Sequence, residues 1–291
     1  MVKVSRWPTV VVAFAIGLLW LGMVAGHAHV PTPLLLLALA LLGAWYGSLQ
    51  HEVIHGHLPT WVGWAPLGLL VPFCRYRTTH IDHHRNELLT DPVVDPESFY
   101  LTPEVWATAS TTHRFFIQST RTLFGRMLLG PLVSNGRFIG NDLRGLRRNG
   151  HAAAWVKHLV GVTTVVVVVR SLGLPLWIYM LGFVYGGSSI TLLRSFVEHR
   201  AVDDGPQSAM VLTNPALSLL FLNNNLHLVH HAAPGAPWFA LPALGRDMGA
   251  IELARRGAGV YDGYRDVVRR YAFRPFCQPV RVRDQVLPSS L

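Results

Sequence analysis

Residues 33–55 read PLLLLALALLGAWYGSLQHEVIH, an apolar run that ends in two histidines four positions apart. No charged residue occurs between Pro33 and Gln50. A helix needs about 20 mainly apolar residues to cross roughly 30 Å of hydrocarbon. The stretch therefore predicts a membrane-spanning helix over residues 33–50 that continues out of the membrane and carries His51 and His55 on one face.

Three further apolar runs predict additional spans at residues 9–26, 156–170 and 172–193. The first and last of these are free of charge, whereas the middle one is shorter and has Lys157 and Arg170 near its edges. A buried amphipathic helix is the alternative for that middle run. Residues 9–26 also resemble a secretory signal, but a second apolar run follows almost at once, so we interpret them as a retained span.

Composition agrees with a membrane protein of one domain. Apolar residues make up 51% of the 291 positions and charged residues only 14%, against about 25% in soluble domains. The sequence shows no internal repeat, low-complexity tract or polar linker, so we expect a single domain over residues 1–291.

The basic residues predict the orientation of the chain. Of 25 Lys and Arg residues, two precede the first run, and the short turns at 27–32 and 171–174 hold none. The positive-inside rule places both termini and the long segment 50–154 on the cytoplasmic side. The net charge of +9 comes from arginines scattered along these loops, an arrangement that does not favour nucleic-acid binding.

Nine of the 15 histidines fall into four groups beside the apolar runs. Members of a group are three or four positions apart or adjacent, which brings imidazoles to neighbouring positions on a helix. Neutral imidazole is the commonest nitrogen ligand for transition metals. We therefore predict a metal site on the cytoplasmic side, formed by His51 and His55 (HEVIH), by His80, His83 and His84 (HIDHH), by His199 (FVEHR), and by His227, His230 and His231 (HLVHH).

The ligand set limits the kind of metal. The two cysteines, Cys74 and Cys277, are too few for a thiolate cluster or a disulfide framework. Haem needs only one or two axial ligands, and catalytic zinc takes three from the protein. Nine imidazoles are enough for two ions with five or six ligands each, and such a nitrogen-rich pair suits iron, which can also bind dioxygen.

The order HxxxH, HxxHH, a single histidine and HxxHH resembles the integral-membrane fatty acid desaturase and hydroxylase superfamily over residues from about 44 to 242. The resemblance implies an all-α membrane protein with four transmembrane helices and a cytosolic helical cap that holds a dinuclear iron site. It also implies that the nine histidines are the metal ligands, and that Asn223 lies near the metal through water.

The details of the boxes bear on the reaction. His51-Glu52 and Glu198-His199 are also similar to membrane alkane and xylene monooxygenases, which insert oxygen. The compact second box, HIDHH, and the segments 90–92 and 95–98 look more like a desaturase. We therefore expect oxygen-dependent desaturation of a fatty acyl chain or related lipid, with hydroxylation by a membrane di-iron monooxygenase as the alternative.

Three carboxylates near the boxes are candidates to accept the second ring N–H of a ligand and fix its orientation: Glu52, Asp82 and Glu198. The alternative for all three is a solvated helix surface. The remaining histidines are predicted to bind no metal: His27, His29, His57, His113, His151 and His158.

The expected reaction needs electrons and a substrate, and both indicate partners of the chain. It contains no recognisable flavin, haem or ferredoxin motif, so electrons are expected from a separate ferredoxin, rubredoxin or cytochrome b5-like donor with its reductase. The substrate is expected to be a lipid, or an acyl chain on coenzyme A or acyl carrier protein. A metal transporter is disfavoured because three of the spans lack ionisable residues, and a scaffold without metal is disfavoured by the complete histidine set.

Overall fold

The computed structural model describes residues 6–86, 88–146 and 151–281. Four charges used in the topology prediction lie outside these ranges: Lys3, Arg147, Arg148 and Arg283. Both ends of the predicted domain 1–291 also lie outside them, and the single-domain organisation stays a prediction.

Helices dominate the described residues, with one short pair of parallel strands. In chain order the elements are α1 (Trp7–Ala25), a 3-10 helix (His27–His29), α2 (Thr32–Ile54), a 3-10 helix (Thr60–Trp64), α3 (Phe73–Arg85), α4 (Pro103–Thr108), α5 (Thr111–Ser119), α6 (Leu123–Arg144), α7 (Ala152–Ser171), α8 (Leu176–Tyr179), a π-helix (Met180–Gly186), α9 (Gly187–Ser195), β1 (Met210–Val211), α10 (Pro215–Leu220), α11 (His227–Ala232), a 3-10 helix (Trp238–Ala240), α12 (Leu241–Asp247), α13 (Ala250–Arg255), β2 (Val260–Tyr261) and α14 (Gly263–Tyr271).

Within the described residues, four helices are long and apolar enough to cross a membrane: α1, α2, α7 and the continuous helix Leu176–Ser195, which comprises α8, the π-helix and α9. This confirms the four predicted spans, including the short third one. The fourth helix begins at Leu176 and not at residue 172. Gly173 has a positive φ of 85° and Pro175 caps the helix, so the intervening residues form the turn after α7.

Two apolar stretches lie outside the spans, at residues 61–72 and 212–222. They contain only the short helices Thr60–Trp64 and α10, which are too short to cross a membrane. Trp61 and Trp64 of the first stretch are exposed.

Glycines let α2 and the fourth spanning helix approach closely. A Cβ at Gly187 would lie 2.8 Å from the Cα of Gly43, and a Cβ at Gly43 would lie 2.3 Å from the carbonyl oxygen of Phe183. Small residues at such a crossing are typical of helix contacts in membranes. The contact keeps the C-terminal ends of the two helices together, and the first box and His199 follow from those ends.

The segments outside the spanning helices form a cap with its own core. Phe196 and Val197 follow α9 and pack with Tyr264 and Val267 of α14, all buried. The parallel pair β1–β2 joins this core to the region of α11. The cap thereby places α3, α11 and the segment around His199 over the end of α2.

Candidate metal centre

The nine predicted histidines come together in two adjoining clusters, and within each cluster one potential ligand atom per residue lies within 4.8 Å of all the others. The six other histidines belong to neither cluster. The first cluster contains His51, His55, His80, His84 and His230, and the second contains His83, His199, His227 and His231.

Helix geometry divides each HxxHH box between the clusters. His80 and His84 of α3 are one turn apart and share the first cluster. His83 precedes His84 directly, and one residue step turns a helix by about 100°, so His83 points to the second cluster. The box on α11 divides in the same way, with His230 in the first cluster and His227 and His231 in the second.

In the first cluster, imidazole Nε2 atoms face each other. The Nε2 atom of His80 lies 3.2 Å from that of His55 and 3.1 Å from that of His84. The Nε2 atom of His84 in turn lies 3.0 Å from that of His230. The ring of His51 completes the set, with its centroid 4.5 Å from that of His230.

The second cluster has the same arrangement around His199. Its Nε2 atom lies 3.1 Å from Nε2 of His83 and 3.0 Å from Nε2 of His227. His231 lies beside His227, with 3.1 Å between their Nε2 atoms. His231 also stacks on His84 of the first cluster, with ring centroids 4.2 Å apart, so the two clusters touch.

His199 reaches its cluster from irregular backbone and not from a continuation of the fourth spanning helix. That helix ends at Ser195, and His199 forms an isolated antiparallel bridge with Ser208. The Ser208 hydroxyl lies 3.3 Å from Nδ1 of His199. The loop closed by this bridge therefore sets the orientation of the ring.

Acceptors behind the rings fix the imidazole tautomers. The Nδ1 atom of His80 lies 2.8 Å from a Glu97 carboxylate oxygen, and Nδ1 of His83 lies 2.7 Å from Asp95. An ionised carboxylate only accepts hydrogen bonds, so each Nδ1 carries the proton. When these two rings are neutral, their Nε2 lone pairs point into the clusters, towards the Nε2 atoms of neighbouring histidines.

This arrangement fits a bound cation. An imidazole nitrogen lies about 2.0–2.1 Å from a transition-metal ion, so two ligands at a right angle are about 3.0 Å apart. The closest Nε2–Nε2 distances in both clusters are 3.0–3.2 Å. Two nitrogen lone pairs this close repel one another unless a proton or a metal ion lies between them, and the convergent Nε2 atoms of each cluster can therefore hold a metal ion.

Burial keeps most of these rings neutral, which is the form that binds metal. It lowers the pKa of His84 to about 2, of His55 to about 3 and of His199 to about 3, with further lowering by neighbouring imidazoles. Burial also holds the pKa values of the three α11 histidines well below the usual value: His227, His230 and His231.

His83 is different. Burial lowers its pKa, but the carboxylates of Glu97 and Asp95 outweigh that effect and raise the pKa above its ordinary value. Conversely, partial burial raises the pKa of Glu97, but His80 and His83 outweigh this effect and lower the pKa. A proton therefore competes with a metal ion more strongly at His83 than at the rings whose pKa burial lowers.

Of the three predicted carboxylates, only Glu198 lies beside a clustered histidine. One of its oxygens lies 3.5 Å from Nδ1 of His227 and 3.0 Å from Nε of Arg194. Burial raises the pKa of Glu198 to about 7. Glu52 is buried too, but it accepts the backbone N–H of Trp238.

The predictions for Asp82 and Asn223 differ from the structure, in which neither residue contacts a clustered histidine through its side chain. Asp82 is exposed on α3, because its neighbour His83 occupies the inward face. The Asn223 amide donates to the Trp238 carbonyl at 2.9 Å. The next residue, Asn224, takes the place expected for Asn223: it is buried, with its amide nitrogen 3.4 Å from Nε2 of His51 and its oxygen 3.1 Å from Nδ1 of His227.

Four residues behind the rings were not among the predicted site residues: Asp95, Glu97, Ser208 and Asn224. Asp95 and Glu97 come from the segment 95–98, whose sequence had already indicated a desaturase. Two acids that follow a histidine box within 15 residues, on a Pro-containing loop, could have been predicted to contact the histidines. Ser208 and Asn224 give no comparable signal, because polar residues are common in loops.

Comparison with known proteins identifies the class. The sequence pattern of the family described as fatty acid desaturase matches residues 26–263, which is more than half of the chain and includes all nine clustered histidines. The chain belongs to the fatty acid desaturase family. It is an integral membrane protein and a desaturase-like enzyme of lipid oxidation. No curated protein matches the sequence.

Proposed function

We propose that this protein uses dioxygen to oxidise an unactivated C–H position in a fatty acyl chain or related lipid, and that the reaction is desaturation. The observation that carries the proposal is the pair of touching imidazole clusters, one of five and one of four histidines. A methylene group has no acidic proton, so acid–base side chains alone could not attack it. The imidazoles of this site instead suit metal ligands, and a bound metal ion could carry out redox chemistry.

The nine clustered histidines are proposed to hold two iron ions, one in each cluster. When bound, such a pair would supply the activation of dioxygen and the electron transfer that C–H oxidation requires. Asp95 and Glu97 would hold the protons of His83 and His80 on Nδ1, so that both rings keep Nε2 free. Asn224 would restrain His51 and His227 together, since it contacts one histidine of each cluster.

The position of the clusters suits a lipid substrate. They lie at the C-terminal end of α2 and close to the end of the fourth spanning helix, at one end of the apolar helices. An acyl chain that enters from the membrane would thus lie beside the clusters while a polar head group stays outside the hydrocarbon. Positioning of this kind is what the protein must contribute, because reacting groups have to be held within about 3–3.5 Å.

Electrons are proposed to come from a separate ferredoxin, rubredoxin or cytochrome b5-like protein with its reductase, because the sequence contains no recognisable motif for a redox cofactor of its own. The acyl chain is proposed to arrive as an intact lipid or on a carrier such as coenzyme A or acyl carrier protein.

We propose that the clusters and both termini face the cytoplasm. The two turns without basic residues support this, since His27 in the first turn approaches Gly173 in the second and both turns therefore lie at the same end of the helices. A reporter fused after Leu291 should score as cytoplasmic, whereas an extracytoplasmic signal would contradict the proposed orientation.

Lipid profiling tests the reaction. Fatty acids and intact lipids are compared between cells that express the wild type and cells that express His84→Ala at the same level. The proposal expects a new double bond that depends on oxygen and on His84. A new hydroxyl group would support the alternative, a membrane hydroxylase, to which the sequence Glu198-His199 is also similar. No new product in a host that supplies the electron donors would contradict lipid oxidation.

A further inference from the structure

The segment after α14 returns to the loop that lies behind the second cluster. Leu101 and Val280 form an isolated parallel bridge, in which the Leu101 N–H donates to Pro279 O at 2.9 Å and the Arg281 N–H donates to Leu101 O at 3.0 Å. These contacts place Arg281 beside residues 88–98. Arg281 lies beyond residues 26–263, the part that matches the family pattern.

The Arg281 guanidinium joins two loops that are far apart in sequence. Its Nη1 donates to the Leu89 carbonyl at 2.7 Å, to the Thr90 hydroxyl, and to the side-chain oxygen of Gln207 at 3.1 Å. The Thr90 hydroxyl also donates to the same Gln207 oxygen at 2.7 Å. A charged donor strengthens such bonds, so this contact holds the two loops at a fixed spacing.

One loop leads from Arg281 to His83. The Thr90 N–H donates to one oxygen of Asp95 at 2.8 Å, and the other oxygen of Asp95 accepts from Nδ1 of His83 at 2.7 Å. Thr90 has a positive φ of 66°, an unfavourable conformation for a β-branched residue that its partners must maintain. The position of Thr90 therefore controls where the Asp95 carboxylate lies.

The other loop leads from Arg281 to His199. Gln207 precedes Ser208, whose hydroxyl lies 3.3 Å from Nδ1 of His199, and the Gln207 carbonyl accepts from the Arg200 N–H at 3.0 Å. Both paths end in the second cluster, where His83 and His199 have their Nε2 atoms 3.1 Å apart.

We propose that Arg281 is a positioning residue for the second metal ion: by tying the loop of Thr90 to the loop of Gln207, it holds His83 and His199 at the spacing that one ion requires. The inference rests on the proposed two-iron function. His83 belongs to α3 and His199 to a loop, so only contacts from behind the rings can keep their Nε2 atoms 3.1 Å apart. The first cluster takes three of its five ligands from α2 and α3 and a fourth, His55, from the residue directly after α2, so it has less need of such a restraint.

The test measures iron in full-length protein that is purified in detergent without oxygen, loaded with iron(II) and equilibrated with graded chelator. Arg281→Met removes the donors at similar side-chain length. It should weaken one of the two ions by about tenfold, the lower end of the effect of losing a partner behind a ligand, because Arg281 acts through Thr90 and Gln207. Arg281→Lys should retain both ions, because all three side-chain bonds come from one nitrogen. The exposed Arg274→Met in the same segment is the matched control and should retain both.

Combination with ligand variants identifies the affected ion. Arg281→Met should weaken the ion that remains in His55→Ala, which is the second, and leave unchanged the ion that remains in His83→Ala, which is the first. Gln207→Leu cuts the same link and should repeat this pattern if Arg281→Met folds poorly. Wild-type affinity for both ions in Arg281→Met or Gln207→Leu, or equal weakening of both ions, would overturn the role of Arg281. A wild type that binds no more than one ion would overturn the two-iron function itself.

Discussion

The two histidine clusters use the same ligand chemistry but different supports. The first cluster takes His51 from α2, His55 from the residue that caps α2, two rings from α3 and one from α11. In the second, His199 comes from a loop, and its ring, like that of His83, depends on loop residues for the contact behind it: Ser208 and Asp95. The first cluster also has a loop contact, from Glu97 to His80. Its rings nevertheless all come from helices or a helix end, whereas the second cluster takes one ring and two contacts from the loops of the cap.

The comparison separates what helix spacing can do from what it cannot. A spacing of four residues brings two ligands of one helix into the same cluster, and the close crossing at Gly43 and Gly187 brings two helix ends together. Closing the second cluster also needs residues 88–98 and 199–208 to adopt one conformation each. We therefore expect the second site to be the more sensitive to changes away from its ligands.

The largest expected effect comes from His199→Ala. His199 lies in a loop, but we expect it to be as important as the ligands on helices. Activity should therefore fall at least about a hundredfold, as in His84→Ala and His230→Ala, because a dinuclear site acts as a unit. Product formation and bound iron are measured for each variant in the same membranes at matched expression.

The exposed His113→Ala is the control and should retain near wild-type turnover and iron. Near-normal iron and rate in His199→Ala would show that the second cluster closes without its loop ligand, and would contradict the equivalence of the two supports.

The sequence predicts the helical parts of this site better than the parts that lie in loops. The four spans and the nine clustered histidines follow from apolar runs, box spacing and the resemblance of the boxes to a known family. The sequence did not show that His199 lies outside a helix, since a bridge to Ser208 depends on contacts within the cap. It also pointed to Asn223 and Asp82 where the structure uses Asn224 and Asp95, because a loop without periodicity gives no indication of which side chain faces inward.

A smaller effect should distinguish the carboxylates behind the two clusters. Asp95→Asn should weaken iron binding by 10- to 100-fold, because Asp95 is buried and accepts from His83, Thr90 and Glu97, and an amide cannot accept all of these bonds. Glu97→Gln should weaken it by no more than about tenfold, because the Glu97 side chain is 33% exposed and water can replace it. Chelator titration of iron measures both, and a larger loss in Glu97→Gln would reverse the proposed ranking of the two sites.

The smallest effect is the pH dependence of metal-free protein. Burial and neighbouring imidazoles lower the pKa of His84 to about 2, whereas an unfolded histidine has a pKa of about 6.5. Between these values the unfolded chain binds more protons at this position, so stability is lost as pH falls. His83 has a raised pKa, so its contribution is present below about pH 6.5 and is lost as pH rises through its folded value.

Thermal unfolding of chelated protein at several pH values tests this contrast. His84→Gln should reduce the loss of stability at acid pH, by a few degrees in the unfolding midpoint. His83→Gln should instead destabilise the protein more at about pH 6 than at about pH 9. If the unfolding midpoints of the two variants depend on pH in the same way, the pKa values of His83 and His84 are not shifted in opposite directions.

The most direct test of the central claim is the metal content and ligand type of the wild-type protein. Protein purified without oxygen from iron-supplied cells should contain two iron ions per chain, and X-ray absorption at the iron edge should show ligation almost wholly by nitrogen with no sulfur. One zinc ion and no iron, or sulfur ligands to the metal, would contradict a two-iron site built from nine imidazoles.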